Sequence, residues 1–425
     1  MGHSAVSALT NAKKQDTIKT VIIYMKKYFI LLTSIFVFCL LLLPTQAVMI
    51  GDTDGNGAVS AADARLALRY ATGLEQLDAD AITAADADND GKITASDARL
   101  ILRSGIGLDF FEGDLAVHFI DVGQAKSILV QHGELSMLVD AGNVADGELV
   151  CDYLYNCGIT SLDFVVCTHA HEDHAGGLAD VMNAYTVNRA VFAPSLTADT
   201  ANYKNFRDAC TAQKLTPIHP ALGSTMSFGE CEIEFFGPTI ADTDDLNDSS
   251  IVMKITYADT SFLLTGDAET ASEYAMIDEG FDLSADVLDV GHHGSSSSTS
   301  YVFLRQVLPD YAVISCGTGN DYGHPHEEVT SRLADAGVIT WRTDKHGTVK
   351  VISNGKALAF YTDTDFKADI PEPGPEVTEY IGNVNSKKFH LPTCDSLPAE
   401  HNRIYFASRD TALANGYSPC GSCKP

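Results

Sequence analysis

Positive charge is scarce in this chain. Only 28 Lys and Arg stand against 57 Asp and Glu in 425 residues, a formal net charge of −29. That imbalance argues against a protein that grips nucleic acid or an anionic membrane by bulk electrostatics. It leaves room for a local, metal-borne positive charge that attracts a phosphate. Long apolar runs are scarce too. The prominent one, residues 28–43, is short of the ~20 residues a helical membrane span needs. Metal-ligand spacing is missing from Cys151, Cys157, Cys167, Cys210, Cys231 and Cys316; the first two are candidates for a disulfide. Apolar content, in contrast, is ample at 45%, which excludes wholesale disorder. The length suits two or three domains at ~100–200 residues each.

The charge is unevenly spread. Residues 1–48 hold five Lys and one Asp, and residues 49–108 hold ten acids and five bases. Residues 109–377 carry 42 acids and 13 bases, and residues 378–425 hold four acids and five bases. Blocks that differ in kind read as separate modules. The expected division is a leader at 1–48, small modules at 49–108 and 378–425, a large one at 114–364, and a Pro-spaced acidic linker at 365–377.

Lys26 and Lys27 precede the apolar run, and Ala47 supplies a small residue after it. Basic n-region, h-region and small cleavage residue make a secretory signal, with Met25 as an alternative start. The expectation is a secreted protein with no stable membrane anchor after cleavage.

Two stretches then match at an offset of 34 residues. Asp52, Asp54, Asn56, Ser60 and Asp63 fall at loop positions 1, 3, 5, 9 and 12. Asp86, Asp88, Asp90, Thr94 and Asp97 repeat the spacing, and Gly57 and Gly91 take position 6. Oxygen ligands at these offsets around a sharp glycine turn are the EF-hand logic, so each loop is expected to hold one calcium. Each runs into one helix. This duplicated plan resembles the dockerin type I family, which implies a cohesin module of a scaffoldin as partner and a place on the cell surface or in a cellulosome. Recognition in that family falls on loop positions 10 and 11, here Ala61-Ala62 and Ala95-Ser96.

Between residues 115 and 361, short apolar runs alternate with helical stretches. Strands are expected at 116–120, 127–131, 137–139, 164–167, 190–192, 251–257, 261–264, 287–290 and 311–315. Helices are expected at 148–157, 177–184, 203–213 and 327–336. Strands and helices mixed throughout indicate an α/β sandwich. One strand runs into His169-Ala-His171-Glu-Asp173-His174, four metal-capable side chains in six residues. Imidazole and carboxylate together suit zinc, manganese or iron.

This pattern resembles the metallo-β-lactamase superfamily, an αββα sandwich with metals at one edge. The resemblance implies that Asp267 bridges two divalent transition metals, zinc or manganese. It also implies His292 as the last ligand, with His293 as the alternative. His169, His171 and Asp267 would then hold one metal, and Asp173, His174, Asp267 and His292 the other. Within the superfamily, Phe119-Ile-Asp121-Val-Gly-Gln124, Val139-Asp140-Ala-Gly142, Asp248-Ser249-Ser250, His292-His293-Gly-Ser and Tyr322-Gly323-His324-Pro325-His326 look like the hydrolase domain of the competence protein ComEC. Where that family's first motif continues Gly-Asp, this chain has Ala125-Lys126. The implied activity is phosphodiester hydrolysis by a hydroxide shared between the metals. Asp173 is essential to it, one metal keeps an open coordination position or borrows His293 or His324, and His324 or His326 protonates the leaving oxygen or holds the phosphate. Asp121 and Asp140 are expected to orient ligands. The acidity of the module disfavours long polyanions and leaves nucleotides or other short phosphodiesters easier to admit. Alternatives are an ester, lactone or lactam hydrolase on the same metals, and a non-catalytic scaffold-associated component.

Near the C-terminus, His390-x3-Cys394 and Cys420-x2-Cys423 give four soft ligands in a segment too small for a self-sufficient core. A tetrahedral structural zinc is expected, and the segment resembles the Ada metal-binding fold.

Overall fold

The computed structural model describes residues 48–193, 200–239, 245–364, 380–392, 394, 396–406 and 409–421. The leader up to residue 47, the linker and Cys423 therefore lie outside the described residues. Among the described residues, no helix is long and apolar enough to cross a membrane.

The N-terminal module is helical. Ser60 and Thr94 start helices Ala61–Ala71 and Ala95–Ser104, each closed by a capping box with Asp63 or Asp97. A third helix, Ala79–Ala85, lies between them, capped by Asp78. It was not expected from the repeat, because its seven residues carry too little apolar pattern. Ala67, Ala85, Ile101 and Phe111 form a small core. A clip joins this module to the next. The Tyr361 hydroxyl donates to the Ser104 carbonyl at 2.9 Å, and its ring lies over Gly107.

The large module holds two seven-stranded sheets. Its strands are β1 (Leu115–Phe119), β2 (Ile128–His132), β3 (Leu135–Val139), β4 (Ser161–Cys167), β5 (Thr186–Phe192), β6 (Thr225–Phe228), β7 (Cys231–Phe235), β8 (Met253–Tyr257), β9 (Thr260–Leu264), β10 (Val287–Asp289), β11 (Tyr311–Ile314), β12 (Ile339–Arg342), β13 (Val349–Ser353) and β14 (Leu358–Thr362). The first sheet runs β14-β13-β1-β2-β3-β4-β5 and the second β12-β11-β10-β9-β8-β7-β6. Each is antiparallel in one half and parallel in the other, as at β3–β4–β5 and β9–β10–β11–β12.

The period of two along the strands builds the layers. Val117, Val130, Val166, Ile255, Phe262, Val287 and Val313 turn inward and pack between the sheets. Leu129, Leu138 and Val165 turn outward under helices Gly147–Asn156, Leu178–Ala184 and Ala201–Ala212. Leu263, Leu288 and Ile314 do the same under Thr270–Glu279, Tyr301–Val307 and Glu327–Asp335. Helix, sheet, sheet, helix is the αββα sandwich. Cys151 and Cys157 are free thiols, so the expected disulfide does not form.

The C-terminal module is a four-stranded sheet, with β15 (Tyr380–Asn383) central beside β16 (Lys388–His390) and β17 (Arg403–Phe406), and β18 (Ser418–Pro419) on the far edge of β16. Phe389, Phe406, Ala412 and Tyr417 fill its core.

Candidate metal centre

The loops after β4, β9 and β10 converge at one edge of the sandwich. Strand β4 ends at Cys167, and the chain turns sharply so that His169, His171, Asp173 and His174 follow within one bend. Asp267 follows β9, and His292 and His293 follow β10. Asp173, His174, Asp267 and His293 each place one ligand atom within 4.8 Å of the others. His169 and His171 stand beside them. His169 Nε2 lies 3.0 Å from His171 Nδ1, and the His169 and His174 ring centroids are 4.2 Å apart.

Two buried atoms in this cluster suit a cation. His174 Nε2 and Asp267 Oδ1 face each other as an ion pair 3.2 Å apart, and no well-aligned hydrogen bond satisfies either atom. Buried polar atoms are almost always satisfied. A divalent ion between an imidazole nitrogen and a carboxylate oxygen would satisfy both.

Tautomers follow from the far side of each ring. His293 Nδ1 faces the Ser315 carbonyl at 2.9 Å, which only accepts, so Nδ1 carries the proton and Nε2 turns to Asp173 (3.2 Å) and Asp267 (3.5 Å). His174 Nδ1 donates to Asp140 at 2.7 Å and leaves its Nε2 for the cluster. Asp140 also accepts from the Thr168 N–H and hydroxyl at 2.8 and 2.7 Å.

His292 is placed differently. Its Nδ1 lies 3.0 Å from Glu269 and 3.2 Å from Ser297 Oγ, and its Nε2 is 3.8 Å from Asp267. The geometry thus groups His293, rather than His292, with Asp173, His174 and Asp267. Both histidines adopt left-handed backbone, φ 50° and 54°. Such strain at non-glycine residues concentrates at functional sites, and here it turns two adjacent side chains in different directions.

Charge in the cluster is strongly coupled. Burial would raise the Asp267 carboxyl, but His174 and His293 outweigh it and hold it well below the usual range. Burial also opposes ionisation of Asp173, and the His293 hydrogen bond overcomes it, so its pKa is lowered. Burial pushes His169 down, with His174 adding to the effect. His174 goes the other way: burial would lower it, but Asp267 and Asp140 prevail. A cluster whose carboxylates stay ionised is suited to a cation.

His324 flanks the centre. Its ring lies 5.5 Å from His292 and 6.4 Å from His293, and its Nδ1 is 3.3 Å from Gln124 Nε2. Burial and the neighbouring imidazoles lower its pKa to about 4. His326 accepts the Ser296 N–H at 2.9 Å and so braces the serine turn. The Asp121 carboxylate accepts the Gly123 N–H at 3.1 Å. Sequence reading missed Glu269 and the Lys126–Asp289 ion pair, since nothing local signals contacts made across 23 or 163 positions.

Side chains at the outlying candidate sites are also grouped. Asp52, Asp54 and Asp63 form one group and Asp86, Asp88 and Asp97 another. Gly57 and Gly91 take φ 90° and 83°, the left-handed turn that position 6 requires. The side chains of Asn56 and Asp90 accept from N–H groups two residues on, and those of Ser60 and Thr94 bond the position-12 Asp. Ala61, Ala95 and Ser96 are exposed at the helix starts, and Ala62 is half-buried. His390, Cys394 and Cys420 are buried and grouped, with His390 Nδ1 3.3 Å from Cys394 Sγ.

Three family models match successive parts of the chain. Residues 120–318 match the metallo-beta-lactamase superfamily model, residues 50–104 the dockerin type I domain, and residues 377–425 the metal binding domain of Ada. Among curated proteins, the chain is 30% identical to ComE operon protein 3 of Bacillus subtilis over 252 residues, 55% of this chain and 32% of that protein. It is 32% identical to competence protein ComA of Neisseria gonorrhoeae over 241 residues, 56% of this chain and 32% of that protein. The chain thus spans about a third of the length of the curated relatives it matches. Among solved structures, the metallo-beta-lactamase fold protein YhfI from Bacillus subtilis aligns at 15% identity and a TM-score of 0.39, covering 58% of this chain and 99% of that one.

Proposed function

We propose that this protein is an exported, cohesin-docked metallohydrolase that cleaves phosphodiesters, and that the centre binds two divalent metals. The observation that carries the reading is the convergence of Asp173, His174, Asp267 and His293 within 4.8 Å, with His169 and His171 alongside. In this assignment His169 and His171 serve one position, Asp173, His174 and His293 the other, and Asp267 both. A bound metal pair supplies Lewis-acid stabilisation of charge on a phosphoryl group and lowers the pKa of water.

The chain's own groups do the rest. Asp140 and the Ser315 carbonyl hold His174 and His293 in the tautomer that aims Nε2 at the centre. His324 is a neutral imidazole at pH 7, able to donate or accept a hydrogen bond at a phosphate oxygen. Glu269 orients His292, whose Nε2 lies 3.8 Å from Asp267. A phosphodiester suits these groups because its charge is concentrated at the metals, whereas the acidic module repels a long polyanion elsewhere.

The flanking modules complete the proposal. Residues 1–48 direct export, the helical module binds two calcium ions and a cohesin, and the C-terminal module is held by a zinc on His390, Cys394, Cys420 and Cys423.

A substrate panel tests the activity: bis-p-nitrophenyl phosphate, single- and double-stranded DNA, cyclic dinucleotides and nitrocefin. Phosphodiester turnover by metal-replete protein, lost in a folded Asp173→Ala variant, is the expected result. Turnover of nitrocefin or a lactone alone would replace it with the lactam or ester reading. No turnover of any substrate would indicate a non-catalytic component.

A further inference from the structure

Lys126 has no exposed side-chain surface, and neither has its partner Asp289. A lysine buried to that degree is rare and needs compensation. It also stands where this sequence departs from the family it resembles. Its Nζ donates to Asp289 Oδ2 at 2.9 Å, to the Gly266 carbonyl at 2.9 Å and to the Val290 carbonyl at 3.4 Å. Its backbone N–H donates to the Asp173 carbonyl at 3.0 Å, and its own carbonyl accepts the Gly142 N–H at 2.9 Å. Gly266 immediately precedes Asp267, and Val290 lies three residues before His293. One residue therefore reaches every loop that supplies the Asp173–His174–Asp267–His293 group.

We infer that the Lys126–Asp289 pair is a positioning device that sets the spacing of Asp267 and His293 against Asp173 and His174, and with it the affinity of the centre for metal. The inference rests on the metal-binding reading of that centre. The two halves of the group hang from different sheets, which share no strand pairing among the described residues. Apolar packing between the sheets is non-directional and tolerates small slides. A charged pair with directed bonds to two backbone carbonyls does not, because a shift of either sheet lengthens them. Lys126 belongs to the first sheet's loop by its backbone and to the second sheet's loops by its ammonium, so it fixes the height at which the two sets of ligands meet.

The test compares the full-length wild type with a Lys126→Met/Asp289→Leu double variant. Replacing both partners removes the directed bonds without leaving a lone buried charge, a change that sandwich cores often tolerate. Metal-free proteins in saturating calcium are titrated with zinc alone by calorimetry; the C-terminal site is present in both and cancels. The double variant is expected to melt cooperatively yet to bind zinc at the centre about 10- to 100-fold more weakly, the size of effect seen when a ligand's outer support is lost. Its kcat on bis-p-nitrophenyl phosphate should fall with little change in KM. A folded double variant that binds zinc within about twofold of wild type overturns the inference. So does a double variant that cannot fold, because the pair would then serve the sandwich rather than the centre. If the wild type itself takes up no zinc beyond the C-terminal site, the metal-binding reading fails first, a distinguishable result.

Discussion

The Asp140 carboxylate accepts a hydrogen bond from His174 Nδ1 at 2.7 Å, and neither side chain has exposed surface. Asp140 sits at φ 58°, in a left-handed turn that Asp and Asn tolerate better than other non-glycine residues. The turn aims one carboxylate at His174 and at both donors of Thr168. His174 thereby turns its other nitrogen to Asp267, and the bend carrying the histidine cluster is anchored to the end of β3.

Asp140→Asn keeps the turn and removes the charge behind His174. Zinc affinity of the centre should fall about 10- to 100-fold, read by calorimetry on the folded variant. Affinity equal to wild type would mean that His174 needs no such support.

The two adjacent histidines should separate in stoichiometry. His293→Ala is expected to lose one metal per chain by elemental analysis, since its Nε2 is grouped with the other three ligands. His292→Ala should retain wild-type metal content while turnover falls, because its Nε2 stands 3.8 Å from Asp267 and outside the four-residue group. The opposite pattern would place the ligand at His292.

Asp114 gives a pH dependence of stability. It lies between the helical module and β1, where burial raises its carboxyl from an ordinary 3.8 to about 7, partly offset by the Phe111 N–H. A raised folded-state pKa means that its contribution is fully present below about pH 4 and is lost as pH climbs through 7. Asp114→Asn keeps a neutral oxygen for the Phe111 N–H and avoids ionisation. At pH 8 it should be more stable than wild type by about 2–4 kcal/mol, and at pH 4 indistinguishable. Equal melting temperatures at pH 8 would contradict this.

Gly107→Ala should loosen the helical module from the sandwich. The residue has φ 70°, and a Cβ there would come within 2.3 Å of the Tyr361 ring. A cost of about 1–3 kcal/mol at the junction is expected. Faster proteolytic cleavage between residues 105 and 114, with the sandwich's own melting unchanged, would be the signature. Tyr361→Phe, which removes only the hydroxyl bond to Ser104, should show a weaker version of it.

Much of the fold was legible because its signals are local. The expected strands that were buried on both faces, such as β4 and β9, carry continuous apolar runs. Those that went unread are of another kind. Strand β7 alternates Cys231, Ile233 and Phe235 with Glu232 and Glu234 near the sheet edge, and β6 and β12–β14 are also short or partly exposed. Helices Thr270–Glu279 and Tyr301–Val307 lack a clean apolar stripe because each buries only a few side chains against the second sheet. The two acidic loops were legible as units, and Asp52, Asp54 and Asp63, like Asp86, Asp88 and Asp97, come together because a twelve-residue loop gathers its own side chains. Of the six candidate metal ligands named, Asp173, His174 and Asp267 fall in the compact group with His293, because their residue types crowd at strand ends.

By itself the sequence determined which chemical groups are available and which short segments carry them: imidazoles and carboxylates beside one strand, oxygen ligands in two repeated turns, sulfur near the C-terminus. That much depends on spacing along the chain, which folding does not alter. Only the tertiary structure decided that His293 reaches both Asp173 and Asp267 while the Nδ1 of His292 turns to Glu269. It also decided that Asp140 stands behind His174, and that Lys126 meets Asp289 across 163 positions. Those choices depend on backbone torsions and on the meeting of two separate sheets, and both are settled by packing across the whole sandwich rather than by neighbours in sequence.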